Sequence, residues 1–213
     1  PDLDVLSVMA TFNLPKEFPK DVQEEARKIS FTVTDDADRL DLRHQEMITI
    51  DGEDAKDLDD AVHAKVLDNG NIELGVHIAD VSHYVPAGSI IDQEAYRRGT
   101  SVYLVDRVIP MLPVELSNGI CSLQAKEDRY AMSCIMEVSP QGKVLRYSIK
   151  PSIIHITRRC SYKEIYLALE ENIIPDDLAP LMAMVRTLET LAYQLMKMRQ
   201  QAGAISFEFP EYK

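Results

Sequence analysis

Residues Ile50 to Val62 read I-D-G-E-D-A-K-D-L-D-D-A-V. Six carboxylates, Asp51, Glu53, Asp54, Asp57, Asp59 and Asp60, fall within ten positions and are opposed only by Lys56. Apolar runs bound them on both sides, with Met47, Ile48 and Ile50 before and Ala61, Val62, Val66 and Leu67 after. A fold that buries those runs as strands forces several carboxylates together between them. Like charges held close raise each other's pKa and destabilise the fold unless positive charge sits among them. A charge run is ordinarily a solvated face. The tight strand-loop-strand setting brings a metal-binding reading level with that one, and hard oxygen donors suit Mg²⁺ or Mn²⁺.

The spacing D-x5-D-x-D-D sharpens this. In extended chain Asp57 and Asp59 share a face while Asp60 points away. A bend or bulge after Asp59 would let all three converge with Asp51 at the end of the preceding strand. Carboxylates so gathered can hold one or two divalent ions about 3.5–4 Å apart, an arrangement that activates water and stabilises the leaving oxygen of a cleaved phosphodiester. A calcium loop of EF-hand type needs Gly at its sixth position, which here is Val62 counted from Asp57 or Asp59 counted from Asp54. A D-x-D phosphatase with Asp57 as nucleophile and Asp59 as acid leaves Asp51 and Asp60 unexplained. There is no G-x-G-x-x-G or P-loop lysine pattern and no nucleophilic triad. His44, His63, His77, His83 and His155 are scattered and read as structural residues with local partners.

The net charge of −12 argues against a broad basic surface for gripping nucleic acid, and the acid cluster supplies five of those charges. A polyanion would have to be held by metal and by local cations such as Arg97, Arg98, Arg107, Arg129, Arg158 and Arg159. Three cysteines, Cys121, Cys134 and Cys160, show no C-x-x-C spacing, which fits buried thiols in a reducing, cytoplasmic setting rather than a disulfide framework or zinc site. No run of eighteen apolar residues exists to span a membrane, and no signal-peptide pattern opens the chain. The chain opens at Pro1 without Met and stops at Lys213 in a polar-aromatic stretch, so it reads as a piece of a longer protein.

Pro19 and the spacing of Val22, Ala26 and Ile29 predict one short helix over 21–29 at a domain edge. Segments 61–67 and 72–79 flank Asp68-Asn69-Gly70 and predict a hairpin. Segments 130–138 and 143–156 form a second hairpin around Ser139-Pro140-Gln141-Gly142. Between them, 89–98 reads as a helix closed by Gly99, and 100–104 is β-rich. After Tyr162 the period becomes helical, with Leu181, Val185, Leu188, Leu191, Ala192, Leu195 and Met198 on one face, methionines as core filler, and Gly203 as C-cap. Strands first and helices later indicate an α+β class.

The segment T-I-D-G-E-D-A-K-D-L-D-D-A-V resembles the catalytic signature of the ribonuclease II and ribonuclease R exoribonucleases, the RNB catalytic domain. So do V-H-I-A-D-V-S-H-Y-V at 76–85, R-G-T-S-V-Y-L at 98–104 and I-P-M-L-P-V-E-L-S-N-G-I-C-S-L at 109–123, with the bacterial ribonuclease R branch the nearer. The resemblance implies a mixed or antiparallel sheet flanked by helices and incomplete at its C-terminal end. It makes residues 1–28 a link from upstream RNA-binding modules and 29–213 the N-terminal part of the catalytic domain. The implied activity is processive 3′→5′ hydrolysis of single-stranded RNA from its 3′ end to nucleoside 5′-monophosphates. Its alternative is an RNA-binding or interaction fragment that has lost catalysis. By the same resemblance Asp51, Asp57, Asp59 and Asp60 surround Mg²⁺ (or Mn²⁺), with Asp60 and Asp59 closest to catalysis. Tyr103 and Phe207, with Phe209 close by, would clamp the last base, and Tyr162 would line the RNA path. The family's scissile-phosphate arginine and further carboxylates come from a second half of the domain, which implies an open sheet edge here.

Overall fold

The computed structural model describes residues 2–30, 32–104 and 107–205. The apolar-alternating segments build one seven-stranded mixed sheet. Its strands are β1 (Leu40–Asp41), β2 (Ile48–Asp51), β3 (Asp60–Val66), β4 (Ile72–Ala79), β7 (Asp128–Val138), β8 (Val144–His155) and β9 (Arg158–Ser161), in the order β1-β8-β7-β4-β3-β2-β9. A separate two-stranded ribbon pairs β5 (Val102–Tyr103) with β6 (Val108–Ile109). The β3–β4 and β7–β8 hairpins lie where the turn residues place them, and Gly70 and Gly142 take up the left-handed conformation those turns need, with φ of 80° and 86°. The two parallel contacts, β1 with β8 and β2 with β9, make the sheet mixed and put the short strands β1 and β9 at its edges.

The helices are α1 (Asp2–Thr11), α2 (Lys20–Ala26), α3 (Val81–Tyr84), α4 (Ile90–Arg98), α5 (Tyr162–Glu170) and α6 (Met182–Gln201). Sequence reasoning expected only one helix in the first 28 residues; α1 is the addition. Side-chain caps start α4 and α5: Ser89 accepts from Asp92 N–H, and Ser161 with Glu164 forms a reciprocal capping box.

Alternation along β2 divides the interior. Met47, just before the strand, joins Leu58, Ala61, Leu116, Leu123 and Ile154 on one face of the sheet. Val22 and Ala26 of α2 are part of this same cluster. Ile48 packs on the other face with Cys160, Leu178, Met182 and Val185 beneath α5 and α6. The α6 stripe is shorter than its period suggests. Val185 and Leu191 are buried, but Ala192 and Met198 are exposed. All three cysteines are free; Cys121 and Cys160 are buried and Cys134 is half-buried. Among the described residues no helix is long and apolar enough to cross a membrane.

A buried polar line crosses the four central strands. His63 Nδ1 meets His77 Nε2 at 2.9 Å, His77 Nδ1 meets Ser133 Oγ at 2.7 Å, Ser133 Oγ meets Ser152 Oγ at 2.5 Å, and Ser152 Oγ donates to Ala131 O at 3.1 Å. That last bond sets the direction of the rest. Ser133 then donates to Ser152 and His77 Nδ1–H to Ser133; burial keeps His77 neutral, so its Nε2 accepts from His63 Nδ1–H. Gly75 lies opposite His63 in the β3–β4 register, and a Cβ there would overlap the His63 ring. The reading of these histidines as structural therefore acquires a specific form: they stitch the sheet together behind the acidic loop.

Candidate active site

Asp51 is the last residue of β2 and Asp60 the first of β3, so the acid segment is the connection between two neighbouring strands. It begins with a turn in which Ala55 N–H donates to Gly52 O at 3.1 Å. It is then held extended by one apolar residue. Leu58 is fully buried; its N–H donates to Ser122 Oγ at 3.1 Å and its carbonyl accepts from Leu123 N–H at 2.8 Å. Ser122 Oγ also donates to Lys56 O at 2.7 Å, and Ala79 N–H donates to Asp59 O at 2.9 Å. With Leu58 drawn inward, period-two geometry turns Asp57 and Asp59 to the opposite side. The C-S-L end of the 109–123 motif thus serves as the clamp on the acid segment, a role its residue types alone do not disclose.

Asp57 and Asp59 border a cleft of about 380 Å³ with Ile78, Ser101, Tyr103 and Ser117. The Tyr103 side chain is 67% exposed, and its hydroxyl donates to Asp57 Oδ2 at 3.0 Å. That bond, more than burial, raises the Tyr103 hydroxyl pKa. Burial raises the Asp59 carboxyl above its ordinary range, aided by the charges of Asp57, Asp60 and Asp51. Burial likewise raises Asp51, followed by the Asp60 charge, while Arg159 pulls the other way. Each of the four signature aspartates therefore stands close enough to shift another. Asp51 Oδ2 is buried without a hydrogen-bond partner. Oxygen donors of this kind, one of them orphaned, suit a hard divalent cation. Among the described residues, however, no three acidic, histidine or cysteine side chains are gathered closely enough to hold a metal ion. The donor set fits such an ion in kind, and the bend that would draw all four together is not present at ligating distance.

Most of the candidate cations are engaged within the fold. Arg97 and Arg98 both pair with the buried Glu94, and Arg98 also stacks over Phe18 at 3.6 Å. Arg129 pairs with Glu127 and donates to Ser122 O, while Arg158 pairs with Glu164 and Asp177. Arg159 instead donates through Nη2 to the carbonyls of Gly52, Glu53 and Ala55 at 3.1, 2.8 and 2.9 Å. Tyr162 opens α5, is exposed, and borders with Ile50 an apolar groove of about 440 Å³ between α5 and α6. Phe207 and Phe209 lie outside the described residues.

The cleft, the acid segment and the clamp that holds it all fall inside residues 39–213, which match the RNB domain profile. The chain belongs to the RNB domain family. Ribonuclease R 1 of Lactococcus lactis is 49% identical over 99% of this chain and 26% of its own length. Ribonuclease R of Thermotoga maritima is 48% identical over 96% of this chain and 29% of its own length. Among solved structures, Mycoplasma genitalium RNase R in complex with ribose-methylated single-stranded RNA superposes with a TM-score of 0.92 at 31% identity. That match covers 98% of this chain and 33% of the other. The RNB chain described here thus spans about a quarter to a third of the length of these relatives.

Proposed function

We propose that this chain is the acid-bearing part of a divalent-metal-dependent 3′→5′ exoribonuclease that degrades single-stranded RNA processively to nucleoside 5′-monophosphates in the cytoplasm. Supporting this is one observation above the rest: the exposed Tyr103 ring is tied through its hydroxyl to Asp57, so an aromatic platform and two of the signature carboxylates, Asp57 and Asp59, face one cleft. Stacking on an aromatic is worth roughly 1–3 kcal/mol per base and tolerates any sequence, which a non-specific degrader requires.

Asp51, Asp57, Asp59 and Asp60 would hold Mg²⁺ or Mn²⁺. When bound, such an ion lowers the pKa of a water and offsets charge at a scissile phosphate. Asp60, at the mouth of β3, is the carboxylate tied most directly to cleavage, with Asp59 beside it. Tyr103 supports one face of the 3′-terminal base, Phe207 takes the other, and Tyr162 lines the path of the strand. Residues 1–28 link this part to upstream RNA-binding modules, and further RNA-binding modules follow it. The test is Asp60→Asn in the longer protein with a 5′-labelled single-stranded oligonucleotide. Mononucleotide release stops while binding persists, since loss of a negative charge does not weaken the hold on a polyanion. Degradation at the normal rate by that variant overturns the assignment.

A second reading, an RNA-binding module without cleavage, draws on the carboxylates not being gathered in threes. Mn²⁺ separates the two: a metal-holding site raises the melting temperature through mass action, and a degenerate one leaves it unmoved.

A further inference from the structure

We infer that Arg159 is a positioning residue of this site, setting the course of the acid loop through its backbone rather than through its carboxylates; this rests on the metal-holding reading above. A guanidinium beside six carboxylates would be expected to pair with one of them. Arg159 does not. Its Nη2 lies among the carbonyls of Gly52, Glu53 and Ala55, at 3.1, 2.8 and 2.9 Å. Hydrogen bonds to backbone oxygens leave every carboxylate of the loop without a salt bridge to this arginine. Among the described residues the acid segment's one ion pair is the loose one of Glu53 with Lys163, at 3.7 Å on the surface.

Register explains why this residue can reach. Strand β9 runs parallel to β2, with Thr49 opposite Arg159 and Asp51 opposite Ser161. Arg159 therefore starts two residues behind the end of β2 and extends forward over the turn that leaves it. The capping box directly after β9 fixes the strand's far end, since Ser161 and Glu164 close α5 onto it. Arg158, its neighbour in sequence, faces elsewhere and is spent on Glu164 and Asp177. The loop is thus held at two points. Arg159 gathers the carbonyls of 52–55 at its start, and Ser122 with Leu123 grips Lys56 and Leu58 at its end. Asp51 lies just before the first hold, Asp57 within the second, and Asp59 and Asp60 just after it, so the distance from Asp51 to the other three depends on both. All three bonds fall on Nη2, whose two N–H groups are shared among three carbonyls, at a reach that a lysine side chain, ending one bond short of Nη2, does not match.

The charge of Arg159 and its positioning act on metal affinity with opposite signs, which makes the inference testable. Removing a positive charge beside four aspartates should tighten cation binding if charge were all that mattered. If Arg159 sets the loop, its removal lets Asp51 drift from the other three and binding weakens. The experiment is calorimetric titration of Mn²⁺ into the 213-residue chain and its Arg159→Gln and Arg159→Lys variants. Amide hydrogen exchange over residues 52–60 and urea unfolding are followed in parallel. The expected result for Arg159→Gln is Mn²⁺ affinity about tenfold weaker and exchange over 53–58 at least several-fold faster, with the exchange of β4 and β7 unchanged. Arg159→Lys restores part of the affinity. Tighter or unchanged Mn²⁺ binding in Arg159→Gln overturns the inference, as does loop exchange equal to that of the parent. If Arg159→Gln does not fold, Arg159→Lys decides alone: unaltered affinity and loop exchange with a side chain that ends one bond short of Nη2 count against the inference. A parent chain that binds no Mn²⁺ removes the metal-holding reading instead, while the exchange data still report whether Arg159 holds the loop.

Discussion

Burial holds the His77 imidazole far below the ordinary histidine range, at about 3, with the neighbouring His63 adding to the shift. The chain of donors running to Ala131 O gives the structural reason. His77 Nε2 accepts from His63, and a second proton there would set two donors against each other in a site with no access to water. An unfolded histidine titrates near 6.5. The folded state therefore binds fewer protons than the unfolded one between about pH 6.5 and 3, and stability present above that window is lost as pH falls through it. From these two values the loss on going from pH 8 to pH 5 is about 2 kcal/mol, approaching 1.4 kcal/mol for each further pH unit. Asp51 and Asp59, held above the ordinary carboxyl range, contribute with the opposite sign, since a raised carboxyl favours the folded state as pH falls. The comparison with His77→Gln cancels their contribution. Urea unfolding of both proteins at pH 8 and pH 5 should show the stability gap between them shrinking by about 2 kcal/mol. The imidazole signals of His77 should not titrate above pH 5 in an NMR experiment. A gap that does not change with pH, or a His77 that titrates near 6.5, refutes the tautomer chain.

Gly75→Ala forces a methyl group into the His63 ring and should cost about 1–3 kcal/mol, read as a lower urea midpoint; an unchanged midpoint would show that the ring can move aside freely. Tyr103→Phe removes the hydroxyl bond to an exposed residue, so the unfolding free energy of the chain should stay within about 0.5 kcal/mol. In the longer protein, on an Asp60→Asn background, Tyr103→Ala should weaken binding of a single-stranded 3′ end by about 1–3 kcal/mol in fluorescence anisotropy, whereas Tyr103→Phe should not; equal binding by Ala and Phe would remove the stacking role.

The hairpins of the central sheet were legible because each carries its turn residues in place, D-N-G before β4 and S-P-Q-G before β8. Helix α4 was legible between Ser89 and Gly99 for the same local reason. The acid cluster announced itself by charge density. Local signals could not supply the parallel pairing of β2 with β9, whose partners are more than a hundred residues apart. Nor could they distinguish Arg159 from the other arginines, since its acceptors are backbone carbonyls that every residue possesses. Leu58 stood in view between two aspartates, yet its significance depends on Ser122 and Leu123 arriving from far along the chain. Met198 satisfied the helical stripe and still lies exposed, because periodicity records a face and not how far the opposing surface extends.

The seating of Leu58 has a corollary for the cleft. The Leu58 side chain is wedged in a tightly packed interior, and such interiors respond to a single methylene. A change of size in the hydrophobic residues around Met47, Leu116 and Leu123 should therefore be felt at the cleft as a displacement of Asp57 and Asp59. In this fold the packing around one leucine and the placement of two carboxylates are set together.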